Sequence, residues 1–126
     1  MVGDGGKIES FFKLKAWQEG HKLAMMIYDA TDSFPDKERF ILVSQLCRAG
    51  ISVTSNIAEG FGRVTKKDKE HFYTMANGSL YEIESQLLIA RDRHYIDELT
   101  FQKTAEQANT AHKLLHGLLK AHKERQ

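Results

Sequence analysis

The stretch NIAEGFGR, residues 56–63, closes a long segment whose apolar residues recur three and four positions apart. Its two glycines, Gly60 and Gly62, follow one helical pattern and precede another, which predicts the end of a helix and a tight turn into the next. We interpret Gly60 as a left-handed helix terminus and Gly62 as part of the turn. A phosphate-binding loop would need glycines after a strand and before a helix, so this order argues against one.

Two polar side chains of this stretch share a helix face, because Asn56 and Glu59 are three residues apart. The helix dipole disfavours a carboxylate near a helix C-terminus, so Glu59 needs a partner: Arg63, a ligand or a neighbouring subunit. A polar contact with the next helix or with another chain is the simpler role for the pair. Ligand binding is the alternative.

Helical segments extend outward from this turn in both directions, and no stretch has a convincing strand pattern. Thr65 is a predicted N-cap, with Asp68 three residues further on, and the only proline, Pro35, falls at the start of a helix. Short connections favour antiparallel neighbours, which predicts an all-α, up-down-up-down four-helix bundle over residues 11–126 after a disordered segment, 1–10. The predicted helices cover about 12–33, 36–60, a segment from 66, and a segment from Asp97 or Thr100.

The turn also sets the register of the helices on either side of it. Antiparallel pairing about Val64 and Thr65 places Arg48 opposite Glu82. We therefore predict a salt bridge between these two side chains. Such a pair contributes more to register than to stability.

Composition places broad limits on the protein class. At 126 residues the chain fits one domain whose core needs no disulfide. Lys plus Arg (18) against Asp plus Glu (17) gives a net charge of +1, which by itself does not indicate nucleic-acid binding. The single cysteine, Cys47, is interpreted as a core residue in a reducing compartment. No apolar run reaches the roughly 18 residues of a membrane span, and residues 1–10 lack a signal-peptide core, so we predict a cytoplasmic protein.

Three runs of consecutive apolar residues exceed what one core-facing stripe requires. They are Leu23–Tyr28, Phe40–Val43 and Leu87–Ala90. Consecutive apolar residues cover most of a helix circumference, so a second face is expected to be buried in subunit contacts. A single thick core with some exposed apolar residues is the alternative.

No motif predicts an enzyme, a cofactor or a metal centre. His112 and His116 are four apart on one helix face, a spacing that can hold zinc, but no third ligand is evident and the HExxH pattern is missing. The Glu plus Glu-x-x-His set of di-iron bundles is also absent. We therefore expect a non-enzymatic protein without metal or cofactor.

Two stretches together resemble the four-helix-bundle proteins encoded by intervening sequences in bacterial 23S ribosomal RNA genes. They are LVSQLCRAGISVTSNIAEGFGR (42–63) and GSLYEIESQL (78–87). An earlier stretch, KLKAWQEGHKLA (13–24), is similar to that family's opening helix, so the resemblance covers nearly the whole chain after Ser10. Asn77 departs from it, since a basic residue often stands there in the family, and this weakens a charge-based role at that position.

The resemblance implies a closed ring of five identical subunits, each a four-helix bundle. It also implies an association with RNA, which in that family is inferred mainly from gene location. The chain further resembles the accessory variability protein of diversity-generating retroelements, a basic pentameric barrel that binds nucleic acid and a reverse transcriptase. For this chain the resemblance implies a basic surface, and it does not imply a catalytic site.

Charges in the predicted bundle are separated between its two ends. Residues 1–15, 59–70 and 120–126 share one end with a net charge of +4, and 29–39 and 91–98 share the other with −3. A basic end of this kind could neutralise phosphates. Trp17 lies close to Lys15 in the sequence, but we interpret it as a core residue and not as a stacking platform for a base. Two alternatives remain: the lysines complement helix dipoles and aid solubility, or the protein is a ring-shaped scaffold for a protein partner. The candidate nucleic-acid-binding residues are Lys13, Lys15, Arg63, Lys66, Lys67, Lys69, Lys120, Lys123 and Arg125.

Overall fold

The computed structural model describes residues 10–124, with side chains as far as residue 121. No strand occurs in this part of the chain, so the predicted all-α class is confirmed. Residues 10–12 are helical, and none of the described helices is both long and apolar enough to cross a membrane. The longer elements are α1 (Lys15–Thr31), a 3₁₀ helix (Asp36–Glu38), α2 (Leu42–Phe61), α3 (Lys66–Asp92) and α4 (Glu98–Glu124).

The four long helices form an antiparallel bundle in which consecutive helices pack together and α1 also packs on α4. The direction of α1 against α2 is clear from two contacts. Gly20 lies beside Val53 and Ile57, whereas Thr31 lies beside Cys47. Residue numbers that rise along α1 therefore fall along α2, as the predicted up-down topology requires.

The core is made by the apolar stripes that the 3.6-residue period predicts. Aliphatic side chains from all four helices are fully buried along the bundle axis, and Ala49, Ala76 and Ala108 let the helices approach one another closely. Each aliphatic side chain of this size contributes about 1.5–3 kcal/mol when removed from water. The largest fully buried aliphatic side chains are Leu23, Ile27, Leu46, Val53, Ile57, Leu80, Ile83, Leu87 and Leu115.

Two helix starts agree with the sequence prediction. Thr65 caps α3, because its Oγ1 accepts a hydrogen bond from the backbone N–H of Asp68 at 3.1 Å. Asp97 does the same for α4, where its Oδ1 accepts from the backbone N–H of Thr100 at 2.7 Å. This hydrogen bond lowers the pKa of the Asp97 carboxyl, because it favours the charged form.

The predicted start of the second helix at Asp36 was wrong. Asp36–Glu38 form a 3₁₀ turn, and the α-helix begins only at Leu42. The backbone of Ile41 leaves helical geometry, with φ −115° and ψ −92°. Glu38 then joins the two segments, because its Oε1 accepts from the N–H of Leu42 at 3.4 Å.

The left-handed conformation predicted for Gly60 was also wrong. No described glycine has positive φ, and α2 continues through Phe61 to a C-cap at Gly62. Gly60 is needed for close packing instead. A Cβ at this position would lie 2.7 Å from Cε1 of Tyr73 and 3.1 Å from Cβ of Phe72, closer than van der Waals contact allows.

A left-handed helix terminus occurs at the end of α3, where the sequence has no glycine. His94 has φ 62°, and its N–H donates to the carbonyl of Arg91 while the N–H of Tyr95 donates to that of Ala90, both at 2.9 Å. These two bonds form a Schellman motif, which favours glycine at the position of His94. Left-handed backbone at a residue with a Cβ costs about 1 kcal/mol.

All three apolar runs leave large side chains on the surface of the single chain. Met25 and Tyr28 are exposed on α1, and Leu88 and Ile89 on α3. Phe40, between the 3₁₀ helix and α2, is 84% exposed. Both explanations considered from the sequence, a subunit contact and a single core with some exposed apolar residues, agree with this exposure.

Candidate nucleic-acid interface

The start of α1, the turn from α2 to α3 and the end of α4 lie at the same end of the bundle, which we call the basic end. Gly20 lies beside Ile57, so Lys13 and Lys15, nearer the start of α1, are close to the level of the turn. His116 of α4 contacts Asn77 of α3, and Lys120 lies one helical turn beyond it. The predicted placement of these three segments together therefore follows from the observed registers.

Lys69 closes the C-terminus of α2. Its Nζ donates to the carbonyl of Phe61 at 2.7 Å and to that of Gly60 at 3.3 Å, and it lies 5.6 Å from the centre of the Phe61 ring. The Gly60 carbonyl also accepts from the N–H of Arg63 at 3.2 Å, whereas helix geometry leaves the Phe61 carbonyl without a partner in α2. The ammonium group therefore caps α2 and complements its dipole. Lys69, a candidate nucleic-acid ligand, thus has a structural role.

Arg63 provides the partner that Glu59 was expected to need. Its Nη2 donates to Oε2 of Glu59 at 2.9 Å, and its guanidinium lies 4.6 Å from the centre of the Phe72 ring. Both charged side chains of this pair are about half exposed. Arg63 is therefore held over the turn between α2 and α3, with its charge largely balanced by Glu59.

Four of the nine candidate residues are exposed lysines that make no hydrogen bond or ion pair with any described residue: Lys13, Lys15, Lys67 and Lys120. Lys66 is half-buried and has a contact of its own. The side chain of Lys123 and the whole of Arg125 lie outside the described residues, as does the predicted disordered segment apart from Ser10. The described side chains of the basic end still carry seven basic against three acidic groups, a net charge of +4.

The positions of the lysines distinguish between two explanations of the basic end. Lys15 is the first residue of α1, and Lys66 and Lys67 are the first two of α3. Helix N-termini carry partial positive charge, so lysines there oppose the dipole. Dipole complementation explains Lys69 but not these three. Helix N-termini together with lysines do favour bound anions.

Asn56 takes part in a polar link between α2 and α3 through Ser52. Its Nδ2 donates to the carbonyl and to the Oγ of Ser52, at 2.9 and 3.0 Å, and Ser52 Oγ lies 2.8 Å from Ser79 Oγ. Glu59 is not part of this network, since it pairs with Arg63. Asn56 itself bonds within α2, and only Ser52 carries the link on to α3.

The predicted salt bridge between Arg48 and Glu82 is confirmed. Gln45 accepts a second hydrogen bond from Arg48 at 2.9 Å. The pair is partly exposed, so its contribution is expected to be less than about 1 kcal/mol. The contact shows the register of α2 against α3 that the sequence predicted.

The two histidines of α4 with metal-ligand spacing are both engaged with α3. Nδ1 of His112 lies 3.0 Å from Oε2 of Glu84, and Nε2 of His116 lies 3.1 Å from Oδ1 of Asn77. Nε2 of His112 is buried and has no hydrogen-bond partner among the described residues. Among the described residues, no three His, Cys, Asp or Glu side chains come close enough together to hold a metal ion.

An open groove of about 1180 Å³ lies at the opposite end of the bundle, between α1 and the turn from α3 to α4. Met26, Ala30 and Ile96 line it together with charged residues that include Asp29 and Lys103. Its presence depends on how the α3–α4 turn folds over α1, so the sequence pattern does not predict it.

An aromatic cluster at the start of α1 was not predicted as a group. Trp17, interpreted from the sequence as a core residue, is only partly buried and lies against the rings of Phe11, Phe12 and His21. The four-residue spacing of Trp17 and His21 was the available signal. The turn at Lys13 and Leu14, which brings the two phenylalanines back onto Trp17, has no equally clear signature.

The chain is similar to known proteins in both sequence and fold. A family model described as 23S rRNA-intervening sequence protein matches residues 12–117. Among solved structures, one similar fold is a protein of unknown function from the S23 ribosomal protein family of Bacteroides thetaiotaomicron. Its TM-score is 0.77 at 20% identity, over 83% of this chain and 95% of that one. No curated protein matches the chain.

Proposed function

The chain belongs to the 23S rRNA-intervening sequence protein family, and we propose that it is a non-enzymatic bundle that self-assembles and binds RNA or other nucleic acid through its basic end. The proposed assembly is a homopentamer in the cytoplasm. A half-buried cysteine, Cys47, without a disulfide is compatible with that compartment.

The observation that carries the nucleic-acid part is the set of four exposed lysines at the basic end. Lys13, Lys15, Lys67 and Lys120 are exposed without a partner among the described residues, and two of them lie in the first turns of helices. Lysines at those positions oppose the helix dipole, so local stability does not account for them. Neutralising phosphates does account for them, because released counterions favour binding.

Self-assembly is supported by apolar side chains on two separate parts of the surface. Met25 and Tyr28 lie on α1, whereas Leu88 and Ile89 lie on α3. Different surface patches on one chain suit a head-to-tail contact, which closes into a ring when the rotation between subunits permits. With the subunits parallel, each copy adds its basic end to one rim, and the positive potential there increases with the number of subunits.

A second candidate function is a scaffold for a protein partner. The groove of about 1180 Å³ supports it, because apolar Met26 and Ile96 lie there beside charged residues of both signs. Protein-binding grooves combine such an apolar floor with a polar rim. In this case no nucleic acid is bound, and the protein partner binds at the opposite end of the bundle.

The first test is the mass of the purified protein in solution, measured by light scattering after size-exclusion chromatography, with and without nuclease treatment. We expect a mass near five chains, and an absorbance ratio at 260 and 280 nm that falls after nuclease treatment. The fall identifies nucleic acid bound during expression.

Tyr28→Asp combined with Ile89→Asp should shift the mass toward one chain, because the charges would lie in the proposed contacts.

A monomeric wild-type protein would contradict the assembly. A five-chain mass with no nucleic acid, and no binding of added RNA, would favour the protein scaffold over the nucleic-acid role. Lys37→Glu reverses one charge at the opposite end of the bundle and is the control. It should leave both the mass and the absorbance ratio unchanged.

A further inference from the structure

The aromatic cluster at the start of α1 extends the proposed function and rests on it. We propose that Phe12, Trp17 and His21 form a stacking platform for an unpaired base, so that the basic end prefers single-stranded nucleic acid to a duplex. Electrostatic contacts alone do not give this preference, because both forms carry phosphates.

The rings are arranged around Trp17. Its ring lies nearly parallel to that of His21, with centroids 4.9 Å apart and an interplanar angle of 14°. The Phe12 ring lies 5.0 Å away at 41°, and the Phe11 ring meets it edge-on at 5.3 Å. Three aromatic rings, two from before α1 and one from its second turn, therefore lie against the ring of Trp17.

The platform is held in place on one side and open on the other. Phe11 and Trp17 are half-buried, and Trp17 packs against the bundle core. The side-chain amide of Gln18 donates to the backbone carbonyl of Phe12 at 2.7 Å, which holds the turn against the helix. Phe12 is 49% exposed and His21 is exposed, so both offer ring surface to a ligand.

The charges around the platform suit a nucleic-acid backbone. Lys13 and Lys15 lie between its aromatic residues in the chain, and Lys22 follows His21, all three exposed. Residues 10–18 contain no acidic side chain. The nearest along the helix, Glu19, accepts a hydrogen bond from Gln107 of α4 at 2.9 Å and is therefore directed toward that helix.

Stacking of this kind selects single strands, because only an unpaired base can present its whole π-face to a protein ring. Grooves that bind single strands combine lysines along the backbone with aromatic side chains under the bases. One stacked base strengthens binding on the order of tenfold. The combination of Phe12 and His21 with neighbouring lysines meets both requirements.

Trp17 makes the test direct, because it is the only tryptophan in the chain. Fluorescence of the full chain is followed as single-stranded RNA is added, and separately as duplex RNA of equal length is added. We expect saturable quenching by the single strand and little change with the duplex. Phe12→Ala and His21→Ala should each lower the affinity for the single strand by about tenfold, and that for the duplex by less than about twofold. Leu99→Ala, which removes an exposed apolar side chain at the opposite end of the bundle and outside the three apolar runs, is the control.

Failure of the platform and failure of the proposed function give different results. The platform would be overturned if the single strand bound without quenching Trp17 fluorescence and if Phe12→Ala and His21→Ala kept full affinity. The basic end would then remain a binding site. Absence of binding to either RNA would overturn both. A fall in the mass of the assembly in Phe12→Ala, with unchanged RNA binding, would identify the cluster as a subunit contact and overturn the platform.

Discussion

Replacing Gly60 with valine is expected to destabilise the protein by about 2–3 kcal/mol, because the position has no room for a side chain. The first added atom, Cβ, would lie 2.7 Å from Cε1 and 2.9 Å from Cδ1 of the Tyr73 ring. That ring is only 3% exposed and is rigid, so it cannot move aside, and the methyl groups of valine would extend the clash. The free energy of unfolding, from urea denaturation followed by circular dichroism, measures the effect.

The neighbouring glycine provides the control. At Gly62 a Cβ would meet only two backbone carbonyl oxygens, at 3.7 and 3.8 Å, which is ordinary contact. Gly62→Val should therefore change the free energy of unfolding by less than about 0.5 kcal/mol, as is usual at exposed positions. Equal stability of Gly60→Val and wild type would mean that α2 and α3 are further apart at this level than the structure has them.

Reversing the charge of four exposed lysines at the basic end is expected to lower the affinity for RNA by about 100-fold or more at about 0.1 M salt, because each lost phosphate contact means that fewer counterions are released on binding. The variant carries Lys13→Glu, Lys15→Glu, Lys67→Glu and Lys120→Glu. Lys69 and Arg63 are left unchanged because they cap α2 and pair with Glu59. Fluorescence anisotropy of labelled single-stranded RNA measures the affinity, and circular dichroism checks that the variant folds.

The control for this variant makes the same change in net charge at the opposite end of the bundle. Twenty residues of α2 span about 30 Å, roughly three Debye lengths at about 0.1 M salt, so charges there are screened from the basic end. We expect less than about threefold loss of affinity. Losses of similar size in both variants would show that net charge and not the basic end governs binding. The control carries Lys37→Glu, Arg39→Glu, Arg93→Glu and Lys103→Glu.

The helices and their order could be predicted because they depend on local information. Apolar spacing, the cap at Thr65 and the turn residues before it are all visible in a short stretch of chain. The contact of Arg48 with Glu82 follows as well, because a short turn fixes the register of the two helices that it joins. The location of the basic side chains at one end then requires only the antiparallel order.

The structural roles of individual residues depend on contacts between positions that are distant in the sequence. These roles could therefore not be predicted from the sequence. Gly60 was interpreted as a helix terminus, yet it is required by a tyrosine thirteen residues later in the chain. Lys69 reaches back over the turn to Gly60 and Phe61, which a pattern of charges does not reveal. His94 adopts a left-handed conformation that sequence rules assign to glycine, so this helix end had no recognisable signal.

The candidate site was only partly predictable for the same reason. The sequence identified which lysines belong to the basic end, but not which of them are already occupied by partners within the chain. Trp17 was taken for a core residue because the turn that folds Phe12 onto it could not be foreseen. Side-chain packing, and not helix placement, decides which surface remains available to a ligand.

The salt dependence of RNA binding by the wild-type protein tests the central claim most directly. Anisotropy titrations at several salt concentrations give the slope of log affinity against log salt. Engagement of four lysines per chain predicts a slope of about −3 for single-stranded RNA, and steeper when several subunits bind one strand. Affinity that does not change with salt, or no binding even at low salt, would contradict a nucleic-acid role for the basic end.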